Sequence, residues 1–453
     1  MSTVSILGAG ITGLTAAYEL HKRGLTPIIL EAGPRPGGLI LTERVGGFTI
    51  EAGPDSVLAT KPAALDLARE LGLADRILRV RTPGAFVLRG RQLYRLPSPS
   101  RLGLPLSWRA LFAYDLLPWG ARLRLARNFL DARGESAPAP GDGSDVSVAE
   151  FFRTRFGPGT VDLIAQPLLG GIHAGDIEQL SMASLFPRLL AGEVRPGPEQ
   201  GRSGGGTGSD PTPADVSRSP FASLRGGMTA LVEALTARLP PATIRYDTRA
   251  ETIPDAPVIL AAPAYAAAAL LEPIDHEAAA LCAQVPYVST ASVALAWPRR
   301  HIPHPLDGTG FVVARRHSDV RITACTWVSS KWSDRAPDDM ALLRAFIGGA
   351  HDPDVLDLDD DEIIAVVRRD LGAVLGIAAE PALARVYRWR RAGAQHTVGH
   401  LQRVARIEER LAPRGIFVAG SGFRSVGIPD CVADARRVAG EAAHFLKRSG
   451  APQ

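Results

Sequence analysis

Lysine is scarce in this 453-residue chain: Lys22, Lys61, Lys331 and Lys447 are the only four, so arginine supplies nearly all of its 51 basic side chains. No stretch gathers that charge into a basic arm. With 47 acidic residues the net charge is only +4, which argues against a nucleic-acid partner. Cysteine is scarcer still. Cys282, Cys325 and Cys431 lie far apart and fit neither a disulfide framework nor a zinc pattern, so a reducing compartment is expected. His301 and His304 flank Pro303 without further ligands nearby, and a proline-rich loop explains them better than a metal site. Long apolar runs are missing too. The longest, Val258 to Leu271, has 14 residues broken by Pro263, short of the ~20 that a membrane-spanning helix needs. The opening MSTVSILGAG runs straight into a structural motif, so no export leader is expected and the expected location is cytoplasmic.

What remains is the composition of a globular protein, 46% hydrophobic and 22% charged, with length for two or three domains. Val4 to Leu7 reads as a strand, Ile11 to Arg23 as a helix stopped by Gly24, and Pro27 to Leu30 as a second strand. Such a strand–helix–strand unit starts a parallel sheet. Helices are expected over Pro62 to Leu73, Leu104 to Ala132 (broken at Pro105 and Pro118), Val148 to Phe156, Gly227 to Leu239, Asp360 to Leu375 and Asp430 to Lys447. Phe86 to Leu96 alternates as a hairpin around Gly90. Short strands are expected at Thr243 to Tyr246, Val258 to Ala261, Thr290 to Ala296, Thr309 to Ala314, Arg321 to Val328, Leu342 to Ile347 and Gly415 to Ala419. Between Gly192 and Pro220 the composition turns to Gly, Ser, Pro and Asp, the mark of a disordered loop.

Gly8-Ala9-Gly10-Ile11-Thr12-Gly13 has G-x-G-x-x-G spacing between a strand and a helix. The first glycine permits a tight turn, the second lets backbone approach a pyrophosphate, and the third lets helix and strand pack closely. Glu31 closes the second strand, where a carboxylate accepts ribose hydroxyls and repels a 2′-phosphate, against NADP. Gly37-Gly38, Thr42-Glu43-Arg44 and Glu51-Ala52-Gly53-Pro54 follow, and glycines after the ribose acid keep backbone against a long extended dinucleotide, favouring FAD over NAD. At the other end, Ile416 to Gly420 is a buried-type strand ending in glycine, and Gly427-Ile428-Pro429-Asp430 opens the last helix. Its positive N-terminus suits the charge that a flavin gains on reduction.

These residues, with several separated segments, resemble the FAD-dependent protoporphyrinogen/coproporphyrinogen oxidases of bacterial haem biosynthesis. The segments are Gly53-Pro54-Asp55-Ser56, Gln166-Pro167-Leu168-Leu169-Gly170-Gly171-Ile172-His173-Ala174-Gly175-Asp176, Gly226-Gly227-Met228, Val398-Gly399-His400-Leu401 and Val426-Gly427-Ile428-Pro429-Asp430-Cys431. The resemblance implies an α/β fold: a Rossmann-like FAD domain of the amine-oxidase type from residues 1–83, 222–271 and 405–448. A mixed-sheet substrate domain from 84–103 and 272–404, a helical domain from 104–191 and a loop at 192–221 complete it. By the same resemblance FAD lies against Gly8, Ala9, Gly10, Ile11, Thr12, Gly13, Glu31, Ala32, Gly38, Leu39, Gly53, Pro54, Asp55, Ser56, Ala250, Gly420, Val426, Gly427 and Ile428.

The implied reaction removes six electrons from a porphyrinogen in three hydride transfers to flavin, with O2 as oxidant and H2O2 as product. Gly171 matches a glycine whose carbonyl faces the substrate ring. A flat macrocycle with carboxylate arms needs an apolar slot, for which Phe86, Leu169, Ile172, Thr323, Cys325 and Trp327 are candidates. It also needs arginines at the rim, for which Arg89, Arg91 and above all Arg95 are candidates. No side-chain acid or base is identifiable. Two departures stand out. Eukaryotic-type relatives place an arginine before the aromatic at Phe86, where this chain has Gly84-Ala85, and Ala394-Gln395-His396 replaces a Pro-Gln-Tyr segment, His396 filling the tyrosine's place. Between Leu104 and Ala132, Trp108, Phe112, Trp119 and Phe129 stand among arginines. Packing inside a helical domain is the preferred reading, and peripheral membrane contact on the inner face is the alternative. The choice between coproporphyrinogen III and protoporphyrinogen IX stays open, as does oligomeric state, with a homodimer allowed. Competing readings are an amine- or carotenoid-type FAD oxidase and a non-catalytic flavin-fold binding protein.

Overall fold

In the computed structural model of the protein, which describes residues 2–131, 145–190 and 220–450, the run Thr3–Leu7 is a strand, β1, at the centre of a five-stranded parallel sheet. Val4, Ile6 and Leu7 are buried, since strands covered by helices on both faces read as near-continuous apolar runs. Helix α1 (Ile11–Lys22) leads to β2 (Thr26–Leu30), and Ile244–Arg245 (β3), Val258–Leu260 (β4) and Ile416–Val418 (β5) complete the sheet. The order is β3-β2-β1-β4-β5, with Ile6 registered between Ile29 and Ile259, and Ile259 facing Phe417. The last helix, α2 (Ile428–Arg448), packs on α1. Both bring small buried residues to the same core, Ala16 and Ala17 from α1 and Ala435 and Ala439 from α2. Leu14 and Leu20 are fully buried beside them, each worth roughly 2 kcal/mol of apolar burial.

These elements belong to a compact unit made of Met1–Arg79, Phe221–Tyr287 and Ala392–Gln453. Both ends of the polypeptide contribute to it. The apolar stretch Val258 to Leu271 divides into β4 and a helix, Ala264–Leu271, on either side of Pro263.

A second unit comprises Val80–Pro220 and Val288–Arg391. Its frame is a seven-stranded mixed sheet in the order Leu383–Ala394, Tyr287–Pro298, Met340–Gly348, Ala324–Trp327, Gly310–Val313, Phe86–Arg89, Gln92–Arg95. Gly310–Val313 and Phe86–Arg89 run parallel, and the expected hairpin follows with Phe86 opposite Arg95. Helix Asp360–Leu375 covers one face through Ile363, Val367 and Leu371. It starts where Asp359 caps the Glu362 N–H at 2.8 Å and Glu362 returns the bond at 2.9 Å, and it ends at Gly376 in the left-handed region.

Several readings are refined. Leu104 to Ala132 becomes two helices, Trp108–Phe112 and Trp119–Asp131, split as Pro118 requires. Leu383–Ala394 is a strand that alternation does not reveal, because its arginines lie along a sheet edge and bond to Asp357, Asp360 and the carbonyls of Leu356 and Leu358. The loop expected at 192–221 lies outside the described residues except for Pro220 and Phe221, and Phe221 already opens the strand Phe221–Leu224. Trp108, Phe112 and Trp119 do not pack inside: they are 36%, 46% and 64% exposed, while the side chain of Phe129 lies outside the described residues. No helix among the described residues is long and apolar enough to cross a membrane.

Candidate active site

The turn after β1 is built on glycine for three separate reasons. Gly8 has φ +107°, and a Cβ there would meet the Ala261 carbonyl oxygen at 2.9 Å. A Cβ on Gly13 would fall 1.9 Å from the Gly8 oxygen, so only glycine lets α1 sit on the turn. Gly10, the N-cap of α1, is the opposite: a Cβ there meets nothing within 4 Å. Open space therefore lies before the N-terminus of α1, where free N–H groups and the helix dipole favour an anion. Ala9, Ile11 and Thr12 are buried around it.

Glu31 follows β2. Its carboxylate accepts the Ala9 N–H at 2.7 Å and the Gly33 N–H at 2.8 Å, which fixes it beside the turn. The Glu31 backbone is held in turn by Arg245 and Thr248, which brings the start of the 246–250 stretch to Glu31, and Ala250 packs against the nearby core. Ala32 and Gly38 are exposed, as is Leu39. Gly37 donates to the Ala9 carbonyl at 2.8 Å, so the second glycine pair lies against the first turn. A Cβ on Gly53 would come within 1.8 Å of the Leu39 oxygen, which explains glycine there. Beyond Pro54, Ser56 donates to Asp55, and Ser223 donates to the Asp55 carbonyl at 2.6 Å.

The turn after β5 is longer than the first but shares a glycine conformation with it. Gly420 has the same φ of +107° as Gly8, and its N–H donates to Asp434 at 3.0 Å, as does Ser425 Oγ at 3.2 Å. Val426 and Gly427 are half-buried and lead into Ile428, with Gly427 as the N-cap of α2. Lys61 clamps Asp430 in the first turn of α2 at 2.7 Å. Cys431 is buried, and burial pushes its thiol up to about 11, so it stays neutral. Beside this turn His396 and His400 stack with centroids 3.8 Å apart and reach the Ser421 and Phe423 carbonyls through Nε2 at 2.9 and 2.6 Å. Burial first, then His396, depresses His400 to about 3. Two βα turns, each with a glycine at φ +107° and each ending at a glycine N-cap, the first opening on unfilled space, fit an extended dinucleotide such as FAD.

In the second unit Gln166 to Gly175 forms one wall of a narrow cleft that also has Val313, Arg315, Thr323, Gly348 and His351 in its lining. Val161–Gly170 is π-helical, with Pro167 inside it, an irregularity frequent at functional positions. A Cβ on Gly170 would strike the Gln166 amide at 2.6 Å, whereas one on Gly171 meets nothing within 4 Å. The Gly171 carbonyl accepts the Ala174 N–H at 3.2 Å, leaving its second lone pair available.

Of the candidate slot residues, Gly171 and Thr323 line this cleft and the others do not. Thr323 N–H bonds the Phe346 carbonyl at 2.8 Å while Ala324 pairs with Phe346, so two residues oppose one. That bulge leaves Thr323 on the cleft and turns Cys325 and Trp327 into the core with Phe86, closed over by Ile363 and Val367. Leu169 is fully buried, and Ile172 is 66% exposed to solvent. Arg95 bonds Asp307 at 3.0 Å and lies over the Phe86 ring, and Arg89 donates to the Leu116 carbonyl. Arg315 and His351 were missed, since nothing in their local sequence separates them from surface charge.

Residues 11–257 and 251–443 match the family of flavin-containing amine oxidoreductases. The chain is similar to the coproporphyrinogen III oxidase of Bacillus subtilis (strain 168), 34% identical with 98% of each chain covered. It is also similar to that of Staphylococcus aureus (strain NCTC 8325 / PS 47), 32% identical over 97% of this chain and 98% of the other. A crystal structure from Exiguobacterium sp. 255-15, provisionally assigned as a protoporphyrinogen oxidase, superimposes with TM-score 0.83 at 30% identity, covering 98% of this chain and 99% of that one. The chain therefore belongs to the flavin-containing amine oxidoreductases, FAD-dependent enzymes, and within them to the protoporphyrinogen/coproporphyrinogen oxidase family.

Proposed function

We propose that this protein oxidises coproporphyrinogen III to coproporphyrin III in haem biosynthesis, with three O2 consumed and three H2O2 formed for the six electrons removed. The observation that carries this reading is the 34% identity, over 98% of both chains, to an enzyme named for that substrate. FAD, when bound, supplies the two-electron acceptor. The turns at Gly8–Gly13 and Gly420–Ile428, with Glu31, Ala32, Gly38, Leu39, Gly53–Ser56 and the Ala250 backbone, are assigned to hold it. Porphyrinogen binding is assigned to the unit with the mixed sheet, with 104–191 as its helical part. There Gly171 presents backbone to the macrocycle, and no protein atom lies within 4 Å of the position a Cβ on it would take.

The cleft lining contains no Asp or Glu, so it presents glycine backbone, Val313 and Thr323 to an uncharged ring without an anionic base. What the chain supplies is position and exclusion of water, and the geometry asks for no nucleophile. The exposed Trp108, Phe112 and Trp119 favour peripheral contact with a lipid surface.

The test is turnover of coproporphyrinogen III and protoporphyrinogen IX side by side in air, read by porphyrin fluorescence. Coproporphyrin is expected to form faster. Flavin-loaded protein that forms neither porphyrin above autoxidation would overturn the reading.

A further inference from the structure

In the unit of Val80–Pro220 and Val288–Arg391, one cation at the Gly171 cleft has a guanidinium nitrogen without an acceptor among the described residues. Arg315 opens the short 3-10 turn Arg315–His317, and its Nη1 is buried without a hydrogen-bond acceptor among the described residues. Its neighbour Arg316 differs: it bonds Asp162 at 3.1 Å and so ties the turn to the π-helical segment. The turn is held from a second side as well, where Gly90 N–H donates to the His317 carbonyl at 2.5 Å and Ser318 Oγ to that of Leu88 at 3.3 Å. Arg315 is thus carried on a fixed support while its guanidinium faces a cleft whose lining contains no carboxylate.

A buried guanidinium nitrogen that has given up water and found no acceptor is costly, and the cost is recovered only when an acceptor arrives. The rest of the lining says what that ligand looks like. Gly171, Val313 and Thr323 offer a neutral, partly apolar wall, and Arg315 is the one side chain of the lining that is charged at every physiological pH. A flat uncharged body carrying a carboxylate arm satisfies both. Inorganic anions satisfy the cation alone.

We propose that Arg315 is a specificity-determining residue that receives one carboxylate arm of the porphyrinogen at the Gly171 cleft. The proposal rests on the porphyrinogen reading above. It places the anchor on the turn after Gly310–Val313 rather than at the hairpin arginines, where Arg95 is already engaged by Asp307.

The experiment compares full-length, FAD-loaded wild type with Arg315→Gln and Arg315→Lys. Measured are KM and kcat for coproporphyrinogen III, affinity for coproporphyrin III and its tetramethyl ester by fluorescence quenching, and flavin content. Arg315→Gln is expected to raise KM about tenfold or more, with a smaller change in kcat and flavin content unchanged. It should weaken coproporphyrin binding in parallel and shrink the preference for acid over ester. Lysine, a point charge without the fork, should restore part of the loss. An Arg315→Gln enzyme with wild-type KM and wild-type acid preference overturns the proposal while leaving the oxidase reading intact. Should the wild type oxidise no porphyrinogen, the functional reading fails, and the binding measurements still decide on Arg315. If Arg315→Gln loses flavin or fails to fold, equal binding of acid and ester by the wild type overturns the proposal.

Discussion

Glu31 accepts the Ala9 N–H at 2.7 Å across 22 residues of sequence, so one carboxylate ties the end of β2 to the turn that follows β1. Ala9 is fully buried, so its N–H has no acceptor in the protein once the carboxylate is removed. Glu31→Ala is expected to destabilise the apoprotein by about 1–3 kcal/mol, the cost of an orphaned buried donor, and to weaken flavin retention as well. Glu31→Gln keeps a neutral acceptor and should lose less. Thermal melts of apoprotein and flavin content after gel filtration check both.

The fold that supports this link was largely legible beforehand, because its signals are local. Gly8, Gly10 and Gly13 answer to turn geometry, and the alternation from Phe86 to Leu96 to a hairpin. The edge strand Leu383–Ala394 escaped because its arginines are satisfied by carboxylates and carbonyls from a distant segment, which no local pattern encodes. The candidate slot was less legible. Thr323, Cys325 and Trp327 read as one face of a strand, but the bulge opposite Phe346 sends the last two into the core. Arg315 is distinguished from Arg316 only by what surrounds it in space.

Acid should loosen the turn after β5. His400 is neutral in the fold, held near 3 by burial and then by His396, with Arg403 and Arg424 adding to the effect. In the unfolded chain it titrates near its ordinary value of 6.5, so the unfolded state binds more protons between these limits. The stability His400 contributes is therefore complete above about pH 6.5 and is lost as pH falls toward 3. His400→Gln keeps a donor for the Phe423 carbonyl but does not titrate, and its melting temperature should fall less steeply from pH 7 to pH 4.5. An unchanged slope would exclude His400 as a source of acid sensitivity.

The exposed rings of the helical part make a separate expectation. Trp119 and Leu123 stand 64% and 58% exposed on one helix, and Trp108 stacks on Phe112 at 6.0 Å on another. Aromatic and aliphatic side chains among arginines suit the interface of an anionic bilayer. Wild-type protein should sediment with vesicles of mixed anionic and zwitterionic lipid, and Phe112→Ser with Trp119→Ser should abolish most of that binding at unchanged oxidase activity. Sedimentation unaffected by the pair would mean that these rings do not meet lipid.

Gly10 and Gly13 are three residues apart in one motif, yet substitution should separate their roles. A methyl on Gly13 lands 1.9 Å from a backbone oxygen, and neither α1 nor the turn can retreat without opening the core around Leu14 and Ile6. Gly13→Ala is expected to cost about 3 kcal/mol or more in stability, the upper end for an overpacked core, because the atom it strikes is backbone. A methyl on Gly10 meets nothing in the protein, so Gly10→Ala should fold with a melting temperature close to that of the wild-type apoprotein. The space it enters is the space assigned to the cofactor. Gly10→Ala apoprotein should therefore bind added FAD at least tenfold more weakly, read by the quenching of flavin fluorescence. Full flavin affinity in Gly10→Ala would move the pyrophosphate away from the α1 N-terminus and with it the assignment of this turn.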